Sequence, residues 1–291
     1  FSTRYALRIP HSAIRIPLQH HHAHIASCMA ENNHKGDRSV IGVAFDGTGY
    51  GSDGDIWGGE FLIADYKSFD RALHLAYVPL PGGDAATRKP ARVAFSHLLA
   101  ANVSLDLDLP SVAALSPTEQ NIITKQIANG LNSPLTSSMG RLFDAVASLI
   151  GLRQVCRFEG QAAMELEFAL PAKVSDTAYQ FQISDFKSQM QVVWKPMVNQ
   201  LLADLRRPLP AGEISAKFHN ALVEAIVAVA GRVGEPRVVL TGGCFQNRYL
   251  TERAVRRLQE EAFRPYWHQR IPPNDGGIAL GQAVAAWRAI R

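Results

Sequence analysis

Apolar residues along this chain fall either into short continuous runs bounded by glycine or into longer stretches with a three-to-four-residue beat. Residues 40–45 form a run of strand length, a glycine-rich segment occupies 46–55, residues 56–64 read as a second strand and 72–80 as a third. Before them, residues 23–31 have helical spacing, ended by the polar, glycine-containing break 32–37. Helical periodicity returns over 90–101, 116–128, 140–150, 194–205 and 214–230, with "LDLDLPS" and "NGLNSP" as separators. Residues 174–186 are the least decisive stretch, with strand-like alternation around 179–183. Near the end, "RVVLTGGCFQNRYLTERAVRRLQEEA" predicts a buried strand, a Gly242-Gly243 turn and a helix opening near Asn247. A strand at 264–267 then leads through "PPNDGG" into a closing helix, 278–290.

The order of these elements separates two kinds of glycine turn. A dinucleotide fold needs strand, glycine turn, helix, whereas the first turn here joins two strands, so it predicts a hairpin. A Gly47-x-Gly49-x-Gly51 tip, lacking Cβ atoms, can present its amides to an anion, although a plain long hairpin loop fits the same residues. The second turn opens a helix, the geometry of an anion site at a helix N-terminus. One such turn in each half predicts an α/β chain with two lobes, 1–130 and 131–291, facing a common nucleotide cleft, with the final helix packing back on the first lobe.

Composition narrows the class. With 291 residues, 47% hydrophobic and 19% charged, the chain is long enough for a large core and far from a disordered composition. Net charge is +4, but acidic and basic residues nearly balance and no run of five basic residues occurs, so nucleic acid is not an expected partner. Arg253, Arg256 and Arg257 read as one solvated helix face. Cys28, Cys156 and Cys244 form no CxxC pair, which argues against a disulfide framework and fits a reducing cytoplasm. The apolar stretches read as too short or interrupted for a bilayer, and residues 1–10 lack a signal-peptide core. Phe1 is not an initiator methionine, so a piece of a longer chain is expected.

Chemistry concentrates first in "QHHHAHIAS". On a helix, His20 and His24 share a face and can bind one metal ion; His21 and His24 could do the same, while His22 points elsewhere. A carboxylate from a distant segment would complete a two-histidine, one-carboxylate site with open positions. Asp275, at a strand-to-helix turn, is the first candidate and Asp46, at the end of the first strand, the second. An aspartate before a helix also serves simply as an N-cap.

The segments "QHHHAHIAS", "VAFDGTGYGSDGDIWGGEF", "GRLFDAVA", "FEGQAAMELE", "TGGCFQNRYL" and "NDGGIALGQ" occur in the order found in HypF-type carbamoyltransferases of hydrogenase maturation, whose C-terminal module this chain resembles over nearly its whole length. That module is similar to the threonylcarbamoyl-transferring Kae-type proteins, and the resemblance implies a two-lobed actin-like, sugar-kinase-like (ASKHA) α/β fold. It implies metal ligation by His20, His24 and Asp275, with Asp46 engaged directly, through water or through the nucleotide; the metal is iron or zinc. Asp46, Gly47 and Gly49 would face the nucleotide, Asp144 and Glu159 would hold the ribose hydroxyls, Gly160 would border the adenosine, and Gly242, Gly243 and Asn247 would line the opposite wall.

The implied reaction moves the carbamoyl group of carbamoyl-adenylate, made from ATP, to the C-terminal cysteine of a HypE-type partner, towards the cyanide ligands of nickel–iron hydrogenase, with Mg²⁺ as an accompanying ion. Family members carry the adenylate-forming domains ahead of this region, so those domains are expected partners and this chain alone is expected to lack the first half-reaction. The threonylcarbamoyl enzymes have an acidic residue between the metal histidines; His21, His22 and Ala23 stand there here, which favours the hydrogenase branch over a tRNA substrate. An ATP-dependent small-molecule kinase of the same fold and a non-catalytic, nucleotide-gated docking module remain the alternatives.

Overall fold

The computed structural model describes residues 16–105, 108–186, 189–207 and 209–290. The N-terminal segment read for a signal peptide, 1–10, and part of the "LDLDLPS" separator lie outside the described residues.

A mixed sheet runs through the centre in the order β6-β7-β3-β2-β1-β8-β9. Strands β1 (Val40–Tyr50), β2 (Ile56–Ala64) and β3 (Phe69–Leu75) form an antiparallel meander. Strand β8 (Arg237–Thr241) joins β1 in parallel, and β9 (Arg264–Trp267) joins β8. At the other edge the hairpin β6 (Gln182–Phe186) and β7 (Gln189–Val193) pairs with β3. The short strands β4 (Val78–Pro79) and β5 (Leu135–Thr136) pair with each other, and β5 with β2. The α/β class expected from the sequence is the class observed. Strands from both halves of the chain share this one sheet, the second half adding to both of its edges.

Side chains alternate along β1 because successive Cβ atoms point to opposite faces of a sheet. Ile41, Val43 and Phe45 enter the larger core, with Leu142, Phe143 and Val146 of helix α6 (Met139–Leu149) and Phe218 and Ile226 of helix α9 (Ala211–Val233). Val40 and Ala44 enter the smaller core on the other face, against Ile25, Cys28 and Met29 of helix α1 (His20–Glu31). Ile25 and Met29 are fully buried, each contributing roughly 1.5–3 kcal/mol of transfer free energy. Asp46 continues the α1-facing set, and a register irregularity between Phe45 and Gly49 marks a bulge, a common device for re-aiming a side chain near a site.

Several boundaries differ from those expected. The third strand is Phe69–Leu75 rather than 72–80, because the chain turns before Val78 to pair with β5. The helix expected at 214–230 runs from Ala211 to Val233 and is closed by Gly234, whose φ of +81° makes it a left-handed C-cap. At 23 residues α9 is long enough to cross a bilayer, contrary to the expectation of short apolar stretches, but 72% of its apolar window is buried in the core. Among the other helices are α2 (Asp84–Arg88), α3 (Pro90–Ala100), α4 (Pro110–Ala113), α5 (Pro117–Ala128), α7 (Gln161–Phe168), α8 (Lys195–Leu205), α10 (Arg248–Glu260) and α11 (Ile278–Ile290). Helix α5 opens on a reciprocal capping box between Ser116 and Glu119.

Helix α11 lies across α1 so closely that a Cβ on Gly281 would sit 1.9 Å from the Ala23 carbonyl oxygen. Gly281→Val should therefore cost about 2–3 kcal/mol of overpacking, read as a lowered urea midpoint; an unchanged midpoint would refute the close crossing. Burial drives a second expectation. His97 on α3 is wholly enclosed, and burial outweighs its hydrogen bond to the Val93 carbonyl to lower its pKa to about 4. Above pH 6.5 both folded and unfolded chains hold this ring neutral, but between 6.5 and 4 only the unfolded chain takes the proton. Stability should fall across that window, by on the order of 3 kcal/mol from this group, and His97→Gln should flatten the urea midpoint against pH there.

Candidate metal and nucleotide site

Helix α1 starts at His20, where Gln19 caps it by accepting the His22 amide. One turn separates His20 from His24, and their Nε2 atoms lie 3.3 Å apart. Two nitrogens about 2.0–2.1 Å from one tetrahedral ion would be ~3.3–3.4 Å apart. Asp46, delivered by the end of β1, places Oδ2 3.0 Å from His20 Nε2 and 3.5 Å from His24 Nε2. Asp275, 229 positions further along in the turn before α11, places Oδ1 3.5 and 3.4 Å from the same nitrogens. One ligand atom from each of these four residues lies within 4.8 Å of the others.

The electrostatics of the cluster call for a cation. Burial alone would lower the pKa of His24, but hydrogen bonds that its ring donates to the Asp275 and Asp46 carboxylates raise it to about 9. Burial would raise Asp46, yet His20 and His24 hold its carboxyl well below the usual carboxylate range. Two carboxylates thus draw a proton onto an imidazole, and a divalent ion meets the same demand with the donor set that iron or zinc accepts. His21 and His22 are elsewhere. Burial lowers His21 to about 4, with its Nδ1 3.1 Å from Gln19 Nε2, and His22 Nε2 lies 2.6 Å from the Asp65 carbonyl.

Backbone contacts hold the four residues of the cluster in place. The second oxygen of Asp46 accepts the Gly243 amide at 3.0 Å, fixing the carboxylate between β1 and the Gly242-Gly243 turn. Gly242 has φ of +96°, and a Cβ there would lie 2.3 Å from the Phe45 carbonyl oxygen, so only glycine brings this turn so close. Glu31, at the far end of α1, accepts the amides of Gln269, Arg270 and Ile271 and pairs with His268 at 2.8 Å. Ser27 Oγ donates to the Gly277 carbonyl at 2.8 Å. The helix with both histidines is thereby laced to the segment that carries Asp275.

Beside this cluster is a cavity of about 370 Å³ whose walls include Asp46, Gly47, Arg141, Asp144, Glu159 and Asp275. It shares Glu159, Gly160 and Gly243 with a neighbouring cavity of about 460 Å³, which is apolar at Phe143, Met164 and Phe168. Together they make a groove with a polar end at the ligand cluster and an apolar end suited to a planar base. Asp144 is enclosed on α6, where burial, opposed by Arg141, raises its carboxyl to about 6. Glu159 and Gly160 stand at the start of α7, and Gly160 is left-handed at φ +74°.

Other glycines and Asn247 take positions the sequence did not predict. Strand β1 continues to Tyr50, so the hairpin turn is 51–55 and not a Gly47-Gly49-Gly51 tip. A Cβ on Gly49 would press on the rings of His21 and His20, and one on Gly51 would strike Trp57; these glycines make room for packing. Gly47 alone of the three faces the groove, towards Arg141 and Glu159. Asn247 lines the apolar cavity, but its Oδ1 caps α10 by accepting the Leu250 amide and its Nδ2 donates to His219 Nε2 at 2.8 Å. Glu167 accepts the Arg248 amide at 2.7 Å. The expected anion site at this helix N-terminus is thus already filled by the protein's own acceptors.

Sequence reasoning missed Arg141 and Ser138. Ser138 caps α6 by accepting the Arg141 amide at 3.1 Å, and its hydroxyl donates to the Gly47 carbonyl at 2.6 Å. The available signal was the N-cap serine three residues before an arginine in "SSMGRLFDAVA". Cys28 and Cys244 are poor nucleophile candidates, since burial pushes both thiols up.

Residues 42–282 match the family described as "Carbamoyltransferase, Kae1-like Domain, second subdomain", and residues 1–31 match the "HypF Kae1-like domain". The chain is 38% identical to carbamoyltransferase HypF of Synechocystis sp. over 94% of its own length, but spans only 37% of that relative. It is 34% identical to a carbamoyltransferase HypF homolog of Cupriavidus necator, covering 99% of this chain and 75% of the relative. A crystal structure of full-length HypF in its phosphate- and nucleotide-bound form superposes with a TM-score of 0.91 at 42% identity, over 100% of this chain and 45% of that one. On these matches, and on a fold shared with solved HypF structures, the chain belongs to the HypF carbamoyltransferase family as its Kae1-like module.

Proposed function

We propose that this module transfers the carbamoyl group of carbamoyl-adenylate to a thiol, the C-terminal cysteine of a HypE-type maturation protein, working in the cytoplasm alongside the adenylate-forming domains that the family resemblance implies. The observation that carries this reading is the convergence of His20, His24, Asp46 and Asp275 at the polar end of a groove whose other end is apolar. The base of an adenylate fits the Phe143, Met164 and Phe168 end, its ribose hydroxyls reach the acceptor oxygens of Asp144 and Glu159, and its acyl-phosphate then falls beside the four ligands.

His20, His24 and Asp275, with Asp46, would hold an iron or zinc ion, and Mg²⁺ would accompany the nucleotide. A divalent ion so held supplies Lewis acidity next to the carbamoyl oxygen. The chain's own residues do the positioning: Asp46 is oriented by the Gly243 amide, and the groove walls keep the mixed anhydride aligned and shielded. The partner's thiolate sulfur attacks the carbamoyl carbon, a C–S bond forms, the C–O bond to phosphate breaks, and AMP leaves with the electron pair. No nucleophile from this chain is required, in keeping with the elevated Cys28 and Cys244 thiols.

Protein purified without a histidine tag should contain close to one divalent ion per chain by elemental analysis, and His20→Ala/His24→Ala should lose it; equal metal content in both would remove these imidazoles from the site. Given synthetic carbamoyl-adenylate and partner, the same double variant should transfer at least about 100-fold more slowly, the scale expected when a charge-stabilising element is lost. Equal rates would defeat the metal-assisted reading, a phosphorylated small molecule formed from ATP would favour a kinase, and intact adenylate with metal and partner present would favour a docking module.

A further inference from the structure

Arg141 is buried deep in α6, yet its Nε has no hydrogen-bond partner. Its guanidinium approaches Asp144 with Nη2 3.1 Å from Oδ2, and that oxygen is itself without a hydrogen bond. Buried donors and acceptors are ordinarily satisfied, and a half-satisfied ion pair costs stability unless something completes it. Arg141 lines two adjoining spaces: the 370 Å³ cavity beside the histidine–aspartate cluster and a cavity of about 340 Å³ bordered by Arg88 and Arg157. Its Nη2 would lie 3.9 Å from a Cβ on Gly47, the groove-facing glycine, so the absence of a side chain there leaves the guanidinium open to the groove.

Resting on the adenylate reading above, we infer that Arg141 is the phosphate-recognising residue of the groove: its planar fork takes the anionic oxygens of the adenylate, while Asp144, at 3.1 Å, takes a hydroxyl from the same molecule. One ligand then satisfies both members of the pair, its phosphate meeting the donor and its sugar the acceptor. Arg141 thereby sets a preference for a nucleoside monophosphate, or its acyl derivative, over the bare nucleoside. The Ser138 cap, which binds the Arg141 amide and the Gly47 carbonyl, fixes the residue against the strand that delivers Asp46.

Calorimetric titration of the 291-residue chain with AMP and with adenosine tests this. The parent should bind AMP more tightly than adenosine. Arg141→Gln should reduce the AMP-to-adenosine affinity ratio at least tenfold while adenosine affinity stays within twofold. Arg141→Lys keeps the charge beside Asp144 and safeguards the test if the glutamine variant fails to fold; it should lose most of the same preference, because an ammonium cannot engage two oxygens in parallel. Thermal melting establishes that each variant is folded. An unchanged ratio in a folded variant, or an equal loss for both ligands, overturns the inference and makes Arg141 structural. A parent chain that binds neither compound instead overturns the adenylate reading on which it rests.

Discussion

The carboxylate of Asp46 has two oxygens and two separate duties. One oxygen faces the imidazoles of His20 and His24, and the other is bound by the amide of Gly243. The site requires both at once, because the histidines arrive on a helix packed against one face of the sheet while the groove lies along the turn after β8. Strand β1 is where these meet: it pairs with β8 in parallel, contacts α1 through Val40 and Ala44, and bulges just where the aspartate must be aimed. Moving Asp46 by one residue along an alternating strand would send its side chain to the opposite face.

Glycine serves this arrangement through space more than through unusual backbone angles. Gly49 leaves room for two histidine rings, Gly281 lets α11 reach α1, and Gly42 accepts Ile25. Gly242 combines a positive φ with a Cβ position 2.3 Å from the Phe45 carbonyl oxygen. This explains why the glycine-rich hairpin looked like an anion-binding tip in the sequence. The residue type was informative, but the reason for it was packing, at Gly51 against Trp57 and at Gly49 against histidine rings of a helix that precedes the strand, and proximity of the latter kind has no local signature.

The sequence revealed most where periodicity is strong or where side-chain chemistry is concentrated. Strand β1, the meander, the long helices and the two-histidine face of α1 all follow from local pattern. Asp275 could be nominated from its turn, but its arrival beside His20 depends on α11 crossing α1 at Gly281 and on the Glu31 contacts, which link residues more than two hundred positions apart. Arg141 was invisible for the opposite reason: an arginine in a helical pattern ordinarily reads as a solvated charge, and nothing nearby shows that α6 is enclosed on all sides. The parallel addition of β8 and β7 to the meander was equally hidden, since strand partners distant in sequence are chosen by the packing of the helices between them.

The contact between Glu31 and the segment 268–271 has a further consequence. One carboxylate oxygen gathers three consecutive amides, and burial, which would raise the acid, is outweighed by those amides so that it stays ionised. The bracket lies at the opposite end of α1 from His20, so its strength does not depend on what the histidines hold. The two segments that carry His20, His24 and Asp275 are thus held together by contacts of their own, independent of any ion the cluster would hold. On the metal-assisted reading proposed above, the fold would then outlast removal of the ion, unlike small zinc-dependent folds in which the metal itself is the keystone.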